Sequence, residues 1–319
     1  MQVDTNIWSA LAWPLLKLLA GLSLGIFLAN LLEALKWTTF LSYFSRPLAR
    51  VAHLGQAASS AFTLAFLSPT QANAILAENY KQGKLNRQEL ILANLFNSFP
   101  AYLVHVPTIF CLTFPVLGQA ALIYVGLSLL AALGRTVLTL IYARAVLPPQ
   151  SQAERTEVNQ PQAAAWPSIL SKSWHRLLHR LPKLCLYTIP IYSLCFFLQT
   201  AGYFTSLKEY LVSLNLLDQF VSPQAYSIIA FHFLAELGSA LAASGALLAT
   251  GSLKQEEVIL ALLIGNILST PLRAIRHQFP AYAGFYTPGL GLLLILLNQT
   301  LRAVSLIIIT VIFVSLSSY

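Results

Sequence analysis

Residues 55–100 read GQAASSAFTLAFLSPTQANAILAENYKQGKLNRQELILANLFNSFP, and the reading of this stretch decides the fold. It holds two short apolar pieces, about 56–67 and 70–81, joined by Ser68-Pro69-Thr70-Gln71. A longer apolar segment follows, carrying Asn94, Asn97, Ser98 and Pro100. Neither short piece can cross a bilayer alone, because a spanning helix needs about 20 apolar residues. Two half-length helices meeting at a polar, proline-marked tip imply a re-entrant helical hairpin. Broken backbone of that kind survives at membrane depth only where protein or a water-filled cavity covers it.

The composition fits this reading. Of 319 residues, 57% are hydrophobic and 9% charged, against about a quarter charged in soluble chains. The chain is therefore expected to be an all-α integral membrane protein with the lipid bilayer as its first partner. The net charge of +8 does not point to nucleic acid, because the basic residues cluster in short loops between apolar segments, as the positive-inside rule describes. Cys111, Cys185 and Cys195 form no CxxC pair and read as small apolar fillers, so no metal site or cofactor is expected.

Outward from the hairpin, a first span is expected over 9–35 and an interfacial helix with a turn over 36–54. Further spans are expected at 88–112, broken by Pro100 and Pro107, and at 116–147, with Arg135 deep inside. Residues 148–165 (PPQSQAERTEVNQPQAAA) lose all apolar period and read as a flexible linker. Trp166–Lys183 reads as a basic amphipathic segment on the membrane surface.

The second half repeats the first. Gly83 and Gly251, Pro14 and Pro182, Ser59 and Ser227, and Glu89 and Glu257 each stand 168 residues apart. The expected domains are thus a first repeat over 1–147, the linker, and a second repeat over 166–319. Three spans and one hairpin per half make an odd count, so tandem copies enter the membrane in opposite directions. Charge places Lys81, Lys84, Arg87, Arg144, Arg155, Arg176, Arg180, Arg273 and Arg276 on one side. Lys208, Glu209, Asp218, Lys254, Glu256 and Glu257 fall on the other. The rule then sets both termini outside a plasma (bacterial inner) membrane and residues 148–182 in the cytoplasm.

The second hairpin is expected at 223–235 and 238–250, with its tip Glu236-Leu237-Gly238-Ser239 converging on the first tip near the midplane. Half-helix ends meeting there form the usual layout of a secondary-transporter site. Asn94, Asn97 and Ser98, with Asn266, Ser269 and Thr270 in the second half, either line a solute path or bond between helices. Glu236 is a carboxylate expected at membrane depth, hence a candidate for coupling Na+ or H+ or for binding solute. Its alternative is an ion pair with Arg135 or Arg302, and those arginines are alternatively holders of an anionic solute. His232 lies one turn before Glu236, as a possible metal pair or as a hydrogen-bonded core histidine.

No GxSxG, HExxH or Walker pattern is present, so no enzyme activity is expected and ATP or GTP hydrolysis has no motif. The hairpin tip SPTQAN, the following GKLNRQELILANLFNSFP, and their repeat LAELGSALAASG and GSLKQEEVILALLIGNILSTP resemble the Gate, or nucleoside-recognition, membrane domain. That domain occurs in spore maturation proteins and in the membrane part of ferrous iron transporter B. The resemblance implies a transporter-like inverted-repeat fold with solute at the tips: Ser68, Pro69, Thr70, Gln71, Glu236, Gly238 and Ser239. It also implies a nucleoside-like solute. The chain has no GTPase motif and no cysteine at a tip, which argues against iron. The expected function is ion-coupled secondary transport of a small polar solute, with homo-oligomerisation open. The rival is a non-transporting assembly or signalling protein of the spore-maturation type.

Overall fold

The computed structural model describes residues 6–35, 43, 45–148, 166–201 and 221–316. The linker from 149 to 165 and the charges Asp4, Lys36, Arg155, Lys208, Glu209 and Asp218 lie outside the described residues, as do Ser317, Ser318 and Tyr319. The described chain is helical: α1 (Asn6–Ala34), α2 (Ser45–Val51), α3 (Gln56–Ala65), α4 (Pro69–Lys81), α5 (Arg87–Leu117) and α6 (Ala120–Val146) come first. After the linker follow α7 (Trp166–Thr200), α8 (Ala225–Ala249) and α9 (Gln255–Arg273). A π-helical turn (Ala274–Gln278), α10 (Phe279–Phe285) and α11 (Pro288–Leu316) complete it. Five of these helices, α1, α5, α6, α7 and α11, are long and apolar enough to cross a membrane. The protein is an all-α chain of membrane type.

Local chemistry sets the helix starts. Ser68 caps α4 by accepting from the Gln71 N–H at 3.3 Å, and Pro69 occupies the first helical position, where no donor is needed. Asn86 and Glu89 form a reciprocal capping box on α5, with bonds of 2.9 and 2.8 Å. At the head of α9, Glu257 accepts from the Lys254 N–H at 2.8 Å. The lysine side chain has no acceptor with which to return the bond.

Two expectations change in the long helices. Residues 88–112 are not broken at Pro100 and Pro107, nor does the chain leave the helix at Thr113-Phe114-Pro115; α5 continues through all three prolines to Leu117. Pro115 deprives the Cys111 carbonyl of its helical N–H donor. That oxygen lies against α1 at Gly25, where an added Cβ would overlap it. Gly21, one turn earlier on α1, faces Pro115, and a Cβ there would sit 2.6 Å from the proline Cβ. The two glycines let α1 approach the exposed carbonyl closely, in the small-xxx-small manner of membrane helix pairs. Likewise Trp166–Lys183 is not a separate surface helix but the first half of α7, which runs on past Pro182 and Pro190.

The second hairpin also differs. No loop separates 223–235 from 238–250: α8 is helical over Ala225–Ala249. Its one irregularity is Glu236, whose φ of +69° divides α8 into apolar pieces Ala225–Leu234 and Glu236–Ala249. The first tip has a serine cap and a proline that force a loop; the second has neither, so the break contracts to one left-handed residue. The sixth expected span also falls short, since α9 has 19 residues with Glu256 and Glu257 in its first turn.

The core comprises two apolar clusters. One gathers α1, the end of α5, the start of α6, α7, α8 and α9 around Leu22, Tyr192, Leu241 and Leu262. The other gathers α2, α3, α4, the first half of α5 and the start of α11 around Phe62, Phe96, Leu90 and Leu294. α6 passes between them: Val125 belongs to the first, Ala143 to the second. The buried polar residues Ser128, Arg135, Thr136 and Thr139 lie in the interval. Outward, α6 exposes Leu130, Val137, Leu138 and Ile141, and α11 exposes Ile307, Ile308, Val311 and Ile312. Continuous apolar stripes like these suit lipid, not water.

Candidate functional site

Two polar assemblies lie inside this frame. The first joins the α3–α4 hairpin to the second half. Asn94 Nδ2 on α5 donates to Asn73 Oδ1 on α4 at 2.9 Å and to the Tyr282 hydroxyl on α10 at 3.1 Å. Asn73 Nδ2 reaches the same hydroxyl at 3.4 Å, and Tyr286 donates to the Asn73 backbone carbonyl at 3.1 Å. Asn94 Oδ1 and both polar atoms of the Asn97 amide are buried without a partner. Orphaned groups like these are costly in an apolar interior.

A cavity of about 370 Å³ adjoins this assembly, walled by Tyr80, Lys81, Arg87, Tyr286, Thr287 and Leu290. It opens at the foot of α4, not at its tip. The 13 residues of α4 put roughly 20 Å between the two.

The second assembly is built on Asn266. Its Oδ1 accepts from Arg273 Nη2 at 2.6 Å and from Arg302 Nη2 at 3.1 Å. Arg135 on α6 lies within electrostatic range of Arg302, as do the hydroxyls of Tyr102 and Tyr124. Arg135 is 8% exposed, and its Nε is buried without a partner. His232 packs against the α9 backbone at Gly265, where an added Cβ would stand 2.7 Å from the histidine Cβ. Its Nδ1 is buried and unpartnered.

The expected site residues fare unevenly. Asn94, Asn97 and Asn266 are buried and belong to or sit beside these assemblies; Ser98 is only half-buried. Ser269 and Thr270 spend their hydroxyls on the Asn266 carbonyl of their own helix, at 3.2 and 2.8 Å. At the first tip Thr70 and Gln71 are exposed, while Ser68 and Pro69 are half-buried. At the second, Glu236 is exposed, Gly238 is half-buried and Ser239 is buried. The α3–α4 hairpin forms no packed interface with α8, so the two tips do not share a contact surface.

Glu236 pairs with neither Arg135 nor Arg302. Its Oε1 contacts His277 Nε2 at 2.8 Å, on the π-helical turn, with both side chains more than half exposed. Of the two readings of His232, the pair with Glu236 does not form, since Glu236 is exposed and left-handed; His232 is instead a core histidine, 1% exposed, with its Nδ1 unpartnered. Among the described residues no group of three metal-ligating side chains occurs.

Sequence reasoning missed Asn73, Tyr282, Tyr286 and Arg273 as members of the interior. The charge pattern counts Arg273 only among the residues of the basic side, yet it follows Asn266 by seven residues and therefore shares its helical face. That spacing was the available signal. Asn73 and Tyr282 are 209 residues apart, and nothing local announces their contact.

Three uncharacterized proteins of Methanocaldococcus jannaschii are similar to the chain over most of its length. One is 27% identical over 86% of this chain and 86% of its own. A second is 24% identical, covering 92% and 91%, and a third 22% identical, covering 94% and 97%. No family model matches the chain, and no solved structure matches it either.

Proposed function

We propose that this protein is a secondary transporter of a small polar solute, working by alternating access between two inverted repeats in a plasma membrane. The observation that carries the reading is the buried polar interior: unpartnered Asn94, Asn97 and Arg135 atoms set in a chain of membrane-spanning helices. A protein that only has to stay in the bilayer has no use for them, because intramembrane polar groups without partners are selected against unless a ligand meets them.

Several structural facts support the repeat. The starts of α5 and α9 (Arg87, Gln255) stand 168 residues apart. So do those of α6 and α11 (Ala120, Pro288). Left-handed Gly83 and Gly251, at φ +71° and +67°, keep the same interval. In this reading α3–α4 is the re-entrant hairpin of the first half and α8, broken at Glu236, its counterpart. In the same reading that mouth faces the cytoplasm, in keeping with the basic residues Lys81 and Arg87 around the cavity. The solute path runs from it past Tyr286 to Asn94 and Asn97. Glu236 and His277 form the element through which an H+ or Na+ gradient is coupled. The motif resemblance adds nucleosides to the solutes worth testing.

The test is uptake into proteoliposomes of the purified chain, with imposed Na+ or proton gradients and a labelled panel of nucleosides, phosphate, dicarboxylates and amino acids. Gradient-dependent accumulation of at least one solute, lost in Asn97→Ala, is the expected result. No accumulation across the panel, from protein that is folded and oriented, refutes transport and leaves the assembly role.

A further inference from the structure

The arginines at the centre of the molecule have no charge to balance them. Arg135, Arg273 and Arg302 come from three different helices: Arg273 and Arg302 share one neutral amide oxygen, Asn266 Oδ1, and Arg135 lies within electrostatic range of Arg302. A guanidinium stays protonated in proteins, so each is a fixed positive charge. Among the described residues none of the three makes an ion pair with a carboxylate. The carboxylate within electrostatic reach of Arg273 is Glu236, and it is already held by His277 at 2.8 Å. Buried charges that lack partners are strongly destabilising, and like charges gathered together add to the cost.

Neutral polar groups fill much of the rest of the shell, with the Tyr102 hydroxyl itself donating to the Val125 carbonyl at 3.4 Å. Tyr102 and Tyr124 bring neutral hydroxyls near Arg302, and Arg135 Nε is buried and unspent. Asn266 satisfies one N–H on each of two guanidinium groups. The forked geometry of those groups leaves further N–H donors free, and forked donors match the paired oxygens of carboxylate and phosphate. His232, whose Nδ1 is also unpartnered, lies within electrostatic range of Arg273 and Arg302. A neutral solute would leave the positive charge standing; a cation would raise it.

We infer that Arg273 and Arg302, positioned by Asn266, together with Arg135 form the binding site for a small oxyanion carrying at least two negative charges, of the phosphate or dicarboxylate class. That this anion is also carried across the membrane rests on the transport reading given above; its binding does not. The site narrows the solute from small and polar to multiply anionic. It also moves the centre of recognition from the hairpin tips to the interval between the two apolar clusters.

Binding is measured on the full chain purified in detergent, by calorimetry and by ligand-dependent thermal shift at constant ionic strength. Inorganic phosphate and succinate are the anionic probes, chloride is the replacement salt and uridine is the neutral probe. Saturable binding of phosphate, succinate or both is expected, with the preference telling tetrahedral from planar recognition. Affinity should fall about tenfold or more in Arg302→Gln, the scale of one lost charge-assisted contact. It should be unchanged in Arg144→Gln, at the exposed end of α6. Should Arg302→Gln not fold, Arg135→Lys and Arg302→Lys keep the charge but lose the fork, and a clear drop in affinity is expected from each. Absence of saturable anion binding overturns the inference, as does equal binding by Arg302→Gln and Arg144→Gln. Anion binding without gradient-driven uptake keeps the site and removes transport. Uptake of uridine by protein that binds neither anion keeps transport and removes the site.

Discussion

Replacing Gly25 with alanine tests how closely α1 must lie on α5. A Cβ built at Gly25 overlaps the Cys111 carbonyl oxygen and stands 2.7 Å from its carbon. Both are backbone atoms that cannot rotate aside, so the helices must separate or bend. Overpacking of a tight interior costs about 1–3 kcal/mol, and this site belongs at the upper end because no flexible side chain absorbs it. Separation also weakens the contact that Gly25 gives the carbonyl freed by Pro115, worth about 0.5–1 kcal/mol. The better helix propensity of alanine returns about 1 kcal/mol. The net loss is then about 2.5–3 kcal/mol, or roughly 5 °C in apparent melting temperature for a chain of this size. Gly134→Ala is the control, because a Cβ there meets nothing within 4 Å; it should melt at or slightly above the unmodified protein. The assay is detergent-solubilised melting followed by intrinsic fluorescence, with size exclusion confirming a single species. If Gly25→Ala melts no lower than Gly134→Ala, the close approach of α1 to Cys111 is wrong.

Gly83→Ala and Gly251→Ala also place a Cβ in open space, yet each should cost about 1 kcal/mol because both residues are left-handed; chemical unfolding checks this against Gly134→Ala. Asn266→Leu removes the oxygen shared by Arg273 and Arg302. Hydrogen bonds to charged groups contribute about 1.5–3 kcal/mol each, so a drop of roughly 3 kcal/mol in stability is expected, while Asn266→Asp should melt no lower than the unmodified protein. Tyr282→Phe deletes the hydroxyl that accepts from Asn94 and Asn73. A loss of about 1–2 kcal/mol should follow, and thermal melting of the double variant with Asn94→Ala should show less than the sum of the single effects.

The first hairpin was legible because its signals are local. Ser68-Pro69 and the turn at Gly83 punctuate the apolar run, and the observed ends at Ala65, Pro69 and Lys81 fall within a few residues of the expected ones. The membrane class was legible from composition alone. The continuity of α5 was not, because proline reads as a breaker unless one knows that another helix lies on the carbonyl it releases. Glu236 shows the same limit in reverse. Its rarity in an apolar run marked it as a functional candidate, but its backbone conformation and its contact with His277, 41 residues on, belong to the tertiary structure. Arg135 and Arg302 read as interior residues from their depth in apolar spans, whereas Arg273 reads only as one charge of the basic side, and its bond to Asn266 belongs to the tertiary structure.

The makeup of α9 bears on how the protein is made. Two glutamates at its head, a buried asparagine, a proline and a terminal arginine leave it without the hydrophobicity that carries a segment from the insertion machinery into lipid. α8, in two apolar pieces of 10 and 14 residues, is too short in either piece to span. Neither helix can be integrated by its own merit as it emerges during synthesis. Each has to wait in a protein-lined environment until the other, with α7 and α11, supplies a surface to leave on. The second half of the chain is therefore committed to the bilayer as a cooperative unit.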